Sequence, residues 1–162
     1  MRSIFAVVIF LLAGTTFTYG QALSNIECQS YKNGTFVTEG GLFNGRYAIK
    51  RRGNKQVEVD QNGSKFVFDV RWVDECSYVL KLRKISKNPM EIQWQEGDSI
   101  IVNIEQVNAN GYRIRSTTTD GLSATTKILS LNRKDSKRFL RDNGFDPSLM
   151  TEEEMEEDDA GE

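Results

Sequence analysis

Histidine is absent from the 162 residues. Its absence removes the side chain that most often moves protons near neutral pH, and with it Ser-His and Cys-His nucleophile chemistry. Cysteine is scarce, since Cys28 and Cys76 are the only two. They are far apart in the chain and have no histidine to join them, so a metal site is not expected. Long apolar runs are missing after the first residues. The one uninterrupted run, Ile4 to Ala13, falls well short of the roughly 20 residues that a membrane-crossing helix needs. No transmembrane anchor is expected.

What the start does contain is Arg2, then that apolar run, then the small and polar residues Gly14, Thr15, Thr16, Thr18, Gly20 and Ala22. This order reads as a secretory signal peptide over residues 1–22, with cleavage after Gly20 or Ala22. The protein is therefore expected to be exported, either periplasmic or secreted. Cys28 lies too far beyond the apolar run to be a lipid attachment point. In an oxidising compartment Cys28 and Cys76 form a disulfide by default, with two buried free thiols as the alternative. Closing a loop of that size contributes about 4 kcal/mol in the chain-entropy account.

About 140 residues remain after cleavage, enough for one core and one domain. Their charge is divided. From Leu23 to Thr151 there are 20 Lys and Arg against 15 Asp and Glu, whereas Glu152 to Glu162 holds eight acids and no base. The acidic run 151–162 has too much like charge and too little apolar surface to fold alone, and is expected to be disordered. It also lacks the spaced ligands and central glycine of a calcium loop.

From Asn33 to Arg133 the pattern has period two, with turn residues every eight to twelve positions. In Lys65 to Val73, the residues Phe66, Phe68, Val70 and Trp72 share one face while Asp69 and Arg71 take the other. The same rule turns Tyr78, Leu80 and Leu82 inward against Lys81 and Arg83. It turns Ile100, Val102 and Ile104 inward, and Tyr112 and Ile114 inward against Arg113 and Arg115. Turn signals at Gly53-Asn54, Asn62-Gly63, Asn110-Gly111 and Asp120-Gly121 imply short hairpins and antiparallel neighbours. About eight strands follow, near 34–38, 45–52, 55–61, 65–74, 77–85, 98–107, 111–118 and 125–131. A meander this long tends to close on itself, because closure removes its unpaired edges. The fold class is thus all-β: a small lipocalin-like up-and-down barrel over 23–133, with a β-sandwich as the alternative. The connection Ser86 to Gly97 carries Pro89, Met90, Ile92 and Trp94 and reads as a plug over one end. A short helix, Asp135 to Asn143, opens the extension 134–150. Asp135 or Ser136 caps its start, Gly144 ends it, and Phe139 and Leu140 pack it on the barrel.

The segments Cys28-Gln29-Ser30-Tyr31-Lys32-Asn33-Gly34-Thr35-Phe36 and Asp74-Glu75-Cys76-Ser77-Tyr78-Val79-Leu80, with the strand Gly121 to Leu131, resemble a family of small exported proteins of Bacteroidetes-type bacteria. The resemblance implies the β-rich fold, the paired cysteines and an envelope location, and it brings no catalytic residue. Members of that family are often mislabelled DNA topoisomerase IV. That activity needs a large multidomain chain with access to the cytoplasm, which a short exported chain lacks. The charged extension after Arg133 departs from the shorter members of the family.

Two functions fit these residues, and neither is enzymatic or needs a cofactor. The first is a binding module that holds a small hydrophobic ligand in or at the mouth of the barrel, lined by Tyr47, Phe66, Phe68, Trp72, Tyr78 and Trp94. The bland alternative for those rings is a filled core. The second is an envelope protein that presents Arg71, Lys81, Arg83, Arg113 and Arg115 to an anionic component. Lys50, Arg51, Arg52 and Lys55 add a basic hairpin to that surface. Nucleic acid is the weaker anionic candidate for an exported chain. Ordinary solubility is the alternative reading of these charges. Asp74 and Glu75 are adjacent, so strand alternation sends them to opposite faces and they make no acid/base pair.

Overall fold

The computed structural model describes residues 25–40, 45–86 and 94–150. The signal peptide, the acidic tail, and Pro89, Met90 and Ile92 of the expected plug lie outside the described residues. A short helix α1 (Asn25–Gln29) precedes eight strands: β1 (Gly34–Glu39), β2 (Tyr47–Arg52), β3 (Lys55–Asp60), β4 (Lys65–Trp72), β5 (Ser77–Ser86), β6 (Ser99–Asn108), β7 (Gly111–Thr118) and β8 (Ser123–Leu131). Each strand pairs antiparallel with the next, and β1 pairs with β8 from Thr35 opposite Leu131 to Glu39 opposite Lys127. The sheet is therefore a closed barrel rather than a sandwich.

Closure is helped by two bulges, which bend a strand and increase its local twist. The register shifts where Val67 faces Lys84 but Phe68 faces Leu82, leaving Arg83 as the extra residue. It shifts again between Ile104 and Gln106, around Glu105. Each extra residue resets the alternation, so Ile85 and Val107 return to the interior cluster three positions after Leu82 and Ile104. At the start of β7 the β8 backbone lies so close that a Cβ at Gly111 would stand 2.0 Å from the Ile128 carbonyl oxygen. Glycine is required there.

A second core lies outside the barrel. Val37, Ala48, Val57, Val59 and Val67 point outward from β1 to β4 and are covered by Leu140, Phe145 and Met150. Leu140 belongs to α2 (Ser136–Asp142), and Phe145 and Met150 flank the 3-10 turn Pro147–Leu149 that follows it. As expected, Leu140 packs the helix on the barrel and Gly144 terminates it, with φ of 80° and its N–H donating to the Arg141 carbonyl. Asp135 occupies the N-cap position but makes no capping hydrogen bond. Its carboxylate instead pairs with Arg138 one turn on. Polar ties complete the docking, as Gln61 Nε2 donates to the Asn143 carbonyl at 2.8 Å and Lys50 Nζ to the Met150 carbonyl at 3.3 Å. Among the described residues, no helix is long and apolar enough to cross a membrane.

Candidate functional site

One end of the barrel is packed solid. The β2–β3, β4–β5 and β6–β7 hairpins meet there, and α1 lies across them. The expected disulfide joins Cys28 of α1 to Cys76 of the β4–β5 turn. Beside it, Gln29 Nε2 and Lys32 Nζ both reach the Glu75 carboxylate, and Tyr31 OH donates to the Asn108 carbonyl at 2.9 Å. Tyr31, Phe36 and Tyr112 stack beneath, with ring centroids 4.6 to 6.4 Å apart.

Within this end sits Arg51, only 2% exposed. Placing it in the basic hairpin surface is corrected by strand parity: Tyr47, Ile49 and Arg51 all face inward on β2. Lys55, grouped with it, is buried too, on the outer side of β3. The Arg51 guanidinium donates to Gln56 Oε1 at 2.5 Å, to the Tyr31 carbonyl at 3.0 Å, to Tyr78 OH at 2.6 Å and to Tyr112 OH at 3.5 Å. It also lies 4.3 Å from the Tyr78 ring centroid and within 5.7 Å of those of Phe36 and Trp72. A buried cation is tolerable only when its donors are largely satisfied, and here four of the five N–H groups are bonded.

Toward the other end the interior opens. A cavity of about 70 Å³ is bordered by Tyr47, Ile49, Leu80, Ile100, Val102, Ile114 and Ile128, with Thr38, Gln56, Glu58, Ser116 and Thr126 as its polar lining. A smaller space of about 30 Å³ adjoins it between Tyr47, Glu58, Phe66, Phe68, Trp94 and Ile100. Each water needs roughly 10–15 Å³ on this measure, so the larger cavity holds about five water-sized atoms.

Glu58 borders both spaces. On β3 the polar residues Gln56, Glu58 and Asp60 face inward, because Val57 and Val59 are claimed by the outer core under α2. Glu58 Oε1 accepts from Gln56 Nε2 at 2.6 Å, and Gln56 in turn accepts from Arg51. A relay thus runs from the packed end to the cavity. Glu58 is half-buried and lines both spaces. Burial pushes its carboxyl above the usual range, against the opposing pull of the Gln56 hydrogen bond and the Arg51 charge. Tyr47 is pushed up to about 12 by burial and by the negative charges of Glu58 and Asp60. It stays a neutral phenol across the physiological range.

This perturbation has a stability consequence. A folded-state pKa above the unfolded value means that the native protein binds the proton more tightly. The penalty for the ionised form is then full above the folded pKa and fades as pH falls through it toward the unfolded value. Glu58→Gln keeps an acceptor for Gln56 but carries no charge. It should stabilise the unliganded protein at pH 7.5 by on the order of 1 kcal/mol, the usual scale of a single substitution. Thermal unfolding at pH 7.5 and pH 4 checks this, with the gain shrinking at the lower pH.

The residues anticipated as ligand lining divide between the two ends. Tyr47, Phe66, Phe68 and Trp94 surround the open spaces, and Tyr78 forms part of the floor. Trp72 stands at the packed end, its ring 4.6 Å from that of Tyr78 and under Lys32. The basic residues are exposed as expected but form no continuous strip. Arg71, Lys81 and Arg83 lie on β4 and β5, while Arg113 and Arg115 lie on β7, with the outward face of β6 between. Arg83 is 3.6 Å from the Asp69 carboxylate, and Arg115 2.6 Å from that of Glu105. Arg51, Gln56 and Glu58 were missed by sequence reasoning. The available signal was that Tyr47 and Arg51 share a parity on one strand.

No family model, curated protein or solved structure matches the chain.

Proposed function

We propose that the protein is an exported, non-enzymatic binding module that holds a small molecule inside its barrel, against Glu58. The observation that carries this reading is the interior space beside the half-buried Glu58 carboxyl, within a barrel whose opposite end is filled by Arg51 and the rings around it. A burial-raised carboxyl in a cleft marks a candidate functional site, because the Gln56 hydrogen bond and the Arg51 charge offset its cost to stability only in part. The disulfide and the apparent signal peptide support export, in keeping with the resemblance to small exported envelope proteins. A binding role is favoured over catalysis because Glu58 is the only carboxyl bordering the cavity among the described residues, and the Tyr47 phenol beside it, pushed up to about 12, is poorly matched to proton transfer at neutral pH. An anionic envelope component on the outer face is the second reading. The neutralised pairs at Arg83 and Arg115 make it the weaker one.

Native mass spectrometry of the full chain isolated from the cells that make it tests the proposal. The expected spectrum shows a discrete extra mass that disappears on denaturation, and that is missing from a Val102→Phe variant whose added ring fills the cavity. A wild-type protein at its bare mass would overturn the interior site.

A further inference from the structure

The chemistry of the cavity narrows its ligand, on the premise that the interior site is real. We propose that the ligand is a small organic amine whose ammonium group pairs with the Glu58 carboxylate while its short apolar body lies among Ile100, Val102, Ile114 and Ile128.

Three observations lead there. First, the carboxylate has acceptor capacity left over. Gln56 takes Oε1 at 2.6 Å, and among the described residues no other hydrogen bond reaches the group. A carboxylate offers about four acceptor sites. Glu58 lines both interior spaces, which places a donor in either beside it.

Second, the sign of the charge in the cavity is settled by what is out of reach. Arg51 is the cation of the interior among the described residues, but it lines neither space, and four of its five N–H donors are spent at the packed end on Tyr31, Gln56, Tyr78 and Tyr112. Asp60, the other inward acid of β3, spends its carboxylate on the backbone N–H groups of Asn62 and Ser64 in the β3–β4 turn. Glu58 is thus the charged group lining the cavity. An anion there would meet like charge in a poorly screened site, and an ammonium opposite charge. The faces of Tyr47, Phe66, Phe68 and Trp94 around the smaller space add a favourable environment for a cation.

Third, the space is small. A drug-sized ligand needs about 300–1,000 Å³, and a 150 Å³ apolar cavity accommodates benzene. The 70 Å³ cavity, with the 30 Å³ space beside it, therefore suits in its larger part a body on the order of five non-hydrogen atoms, by the same water-sized measure.

The pairing requires an ionised Glu58. Tyr47 and Arg51 from β2, Tyr78 from β5, and Gln56 and Asp60 on its own strand are the groups packed around it. Tyr47 and Tyr78 stay neutral and Arg51 stays charged, so loss of the amine on acidification follows protonation of Glu58.

Titration calorimetry of the full-length, disulfide-intact protein with n-butylammonium chloride, 1-butanol and sodium butyrate tests the assignment. At pH 7.5 n-butylammonium should bind at least tenfold more tightly than 1-butanol, and butyrate should not bind. Lowering the pH should erase the advantage of the amine and leave the alcohol unaffected, a result that needs no variant. Glu58→Gln should cost the amine at least tenfold and change 1-butanol by less than twofold. Tighter binding of 1-butanol or butyrate than of the amine would overturn the amine assignment while leaving an interior site intact. So would an amine affinity that ignores both pH and Glu58→Gln. Binding by none of the three would also overturn it, and a mass retained in the native spectrum would then assign the interior to another ligand class.

Discussion

The paired substitution Cys28→Ser with Cys76→Ser should lower the unfolding free energy by about 4 kcal/mol, the chain-entropy value for a loop closed across 48 residues. For a chain of this size that is a fall of roughly 12–16 °C in melting temperature. The loop spans β1 through β4, half of the barrel, so the cross-link removes much of the freedom of the unfolded chain. The native cost adds to this. Cys28 is fully buried, and the disulfide holds α1 across the packed end. Without it, α1 keeps the bonds of Gln29 and Lys32 to Glu75 and the neighbouring Tyr31 contacts. Urea unfolding with and without dithiothreitol measures the same quantity without mutation, and a loss below about 1 kcal/mol would show that α1 is held by other means.

Arg51→Met should cost about 3–5 kcal/mol, among the largest effects of any single substitution here. The thioether fills part of the volume but leaves Tyr78 OH, Tyr112 OH, Gln56 Oε1 and the Tyr31 carbonyl without their donor, and each stranded buried group costs about 1–3 kcal/mol before relaxation. Arg51→Lys should recover less than half of the loss. A single ammonium cannot present the planar fork that serves four acceptors at once, nor lie over the Tyr78 ring as a guanidinium does. Removing the cation also removes the attraction that opposes the burial of Glu58. The Glu58 carboxyl should therefore titrate still higher in Arg51→Met than in the wild type, as its side-chain carboxyl ¹³C shift would report. Urea denaturation of both variants gives the energies.

The two sets of contacts also show what could be read from the chain alone. Strands with one apolar face and one polar face, such as Gly111–Thr118, announce their orientation because burial acts on one side only. The hairpin glycines announce the antiparallel meander, and closure follows from the need to remove edges. β3 defeats that logic. Gln56-Val57-Glu58-Val59-Asp60 alternates cleanly, but its valines face the helix α2 and its polar residues face the barrel, so alternation alone cannot say which side is inside. Only the later segment, Leu140 and Phe145, decides it. Arg51 is hidden for a related reason. Its two neighbours are also basic, and a run of like charges reads as solvated surface unless the inward parity of Tyr47 and Ile49 is followed through. The bulges at Arg83 and Glu105 are likewise set by closure of the barrel rather than by local preference. The candidate site was thus half legible: its aromatic wall, Tyr47, Phe66, Phe68 and Trp94, could be found, and its carboxyl could not.

The central claim is that the interior around Glu58 is a site and not an unfilled part of the core. A crystal structure of the protein purified from the cells that make it, with no ligand added and at a resolution that shows ordered water, tests this most directly. The account predicts connected density longer than a water within hydrogen-bonding distance of the Glu58 carboxyl, bounded by Tyr47, Val102 and Ile114. Side chains in contact across that space, or isolated waters alone, would contradict it.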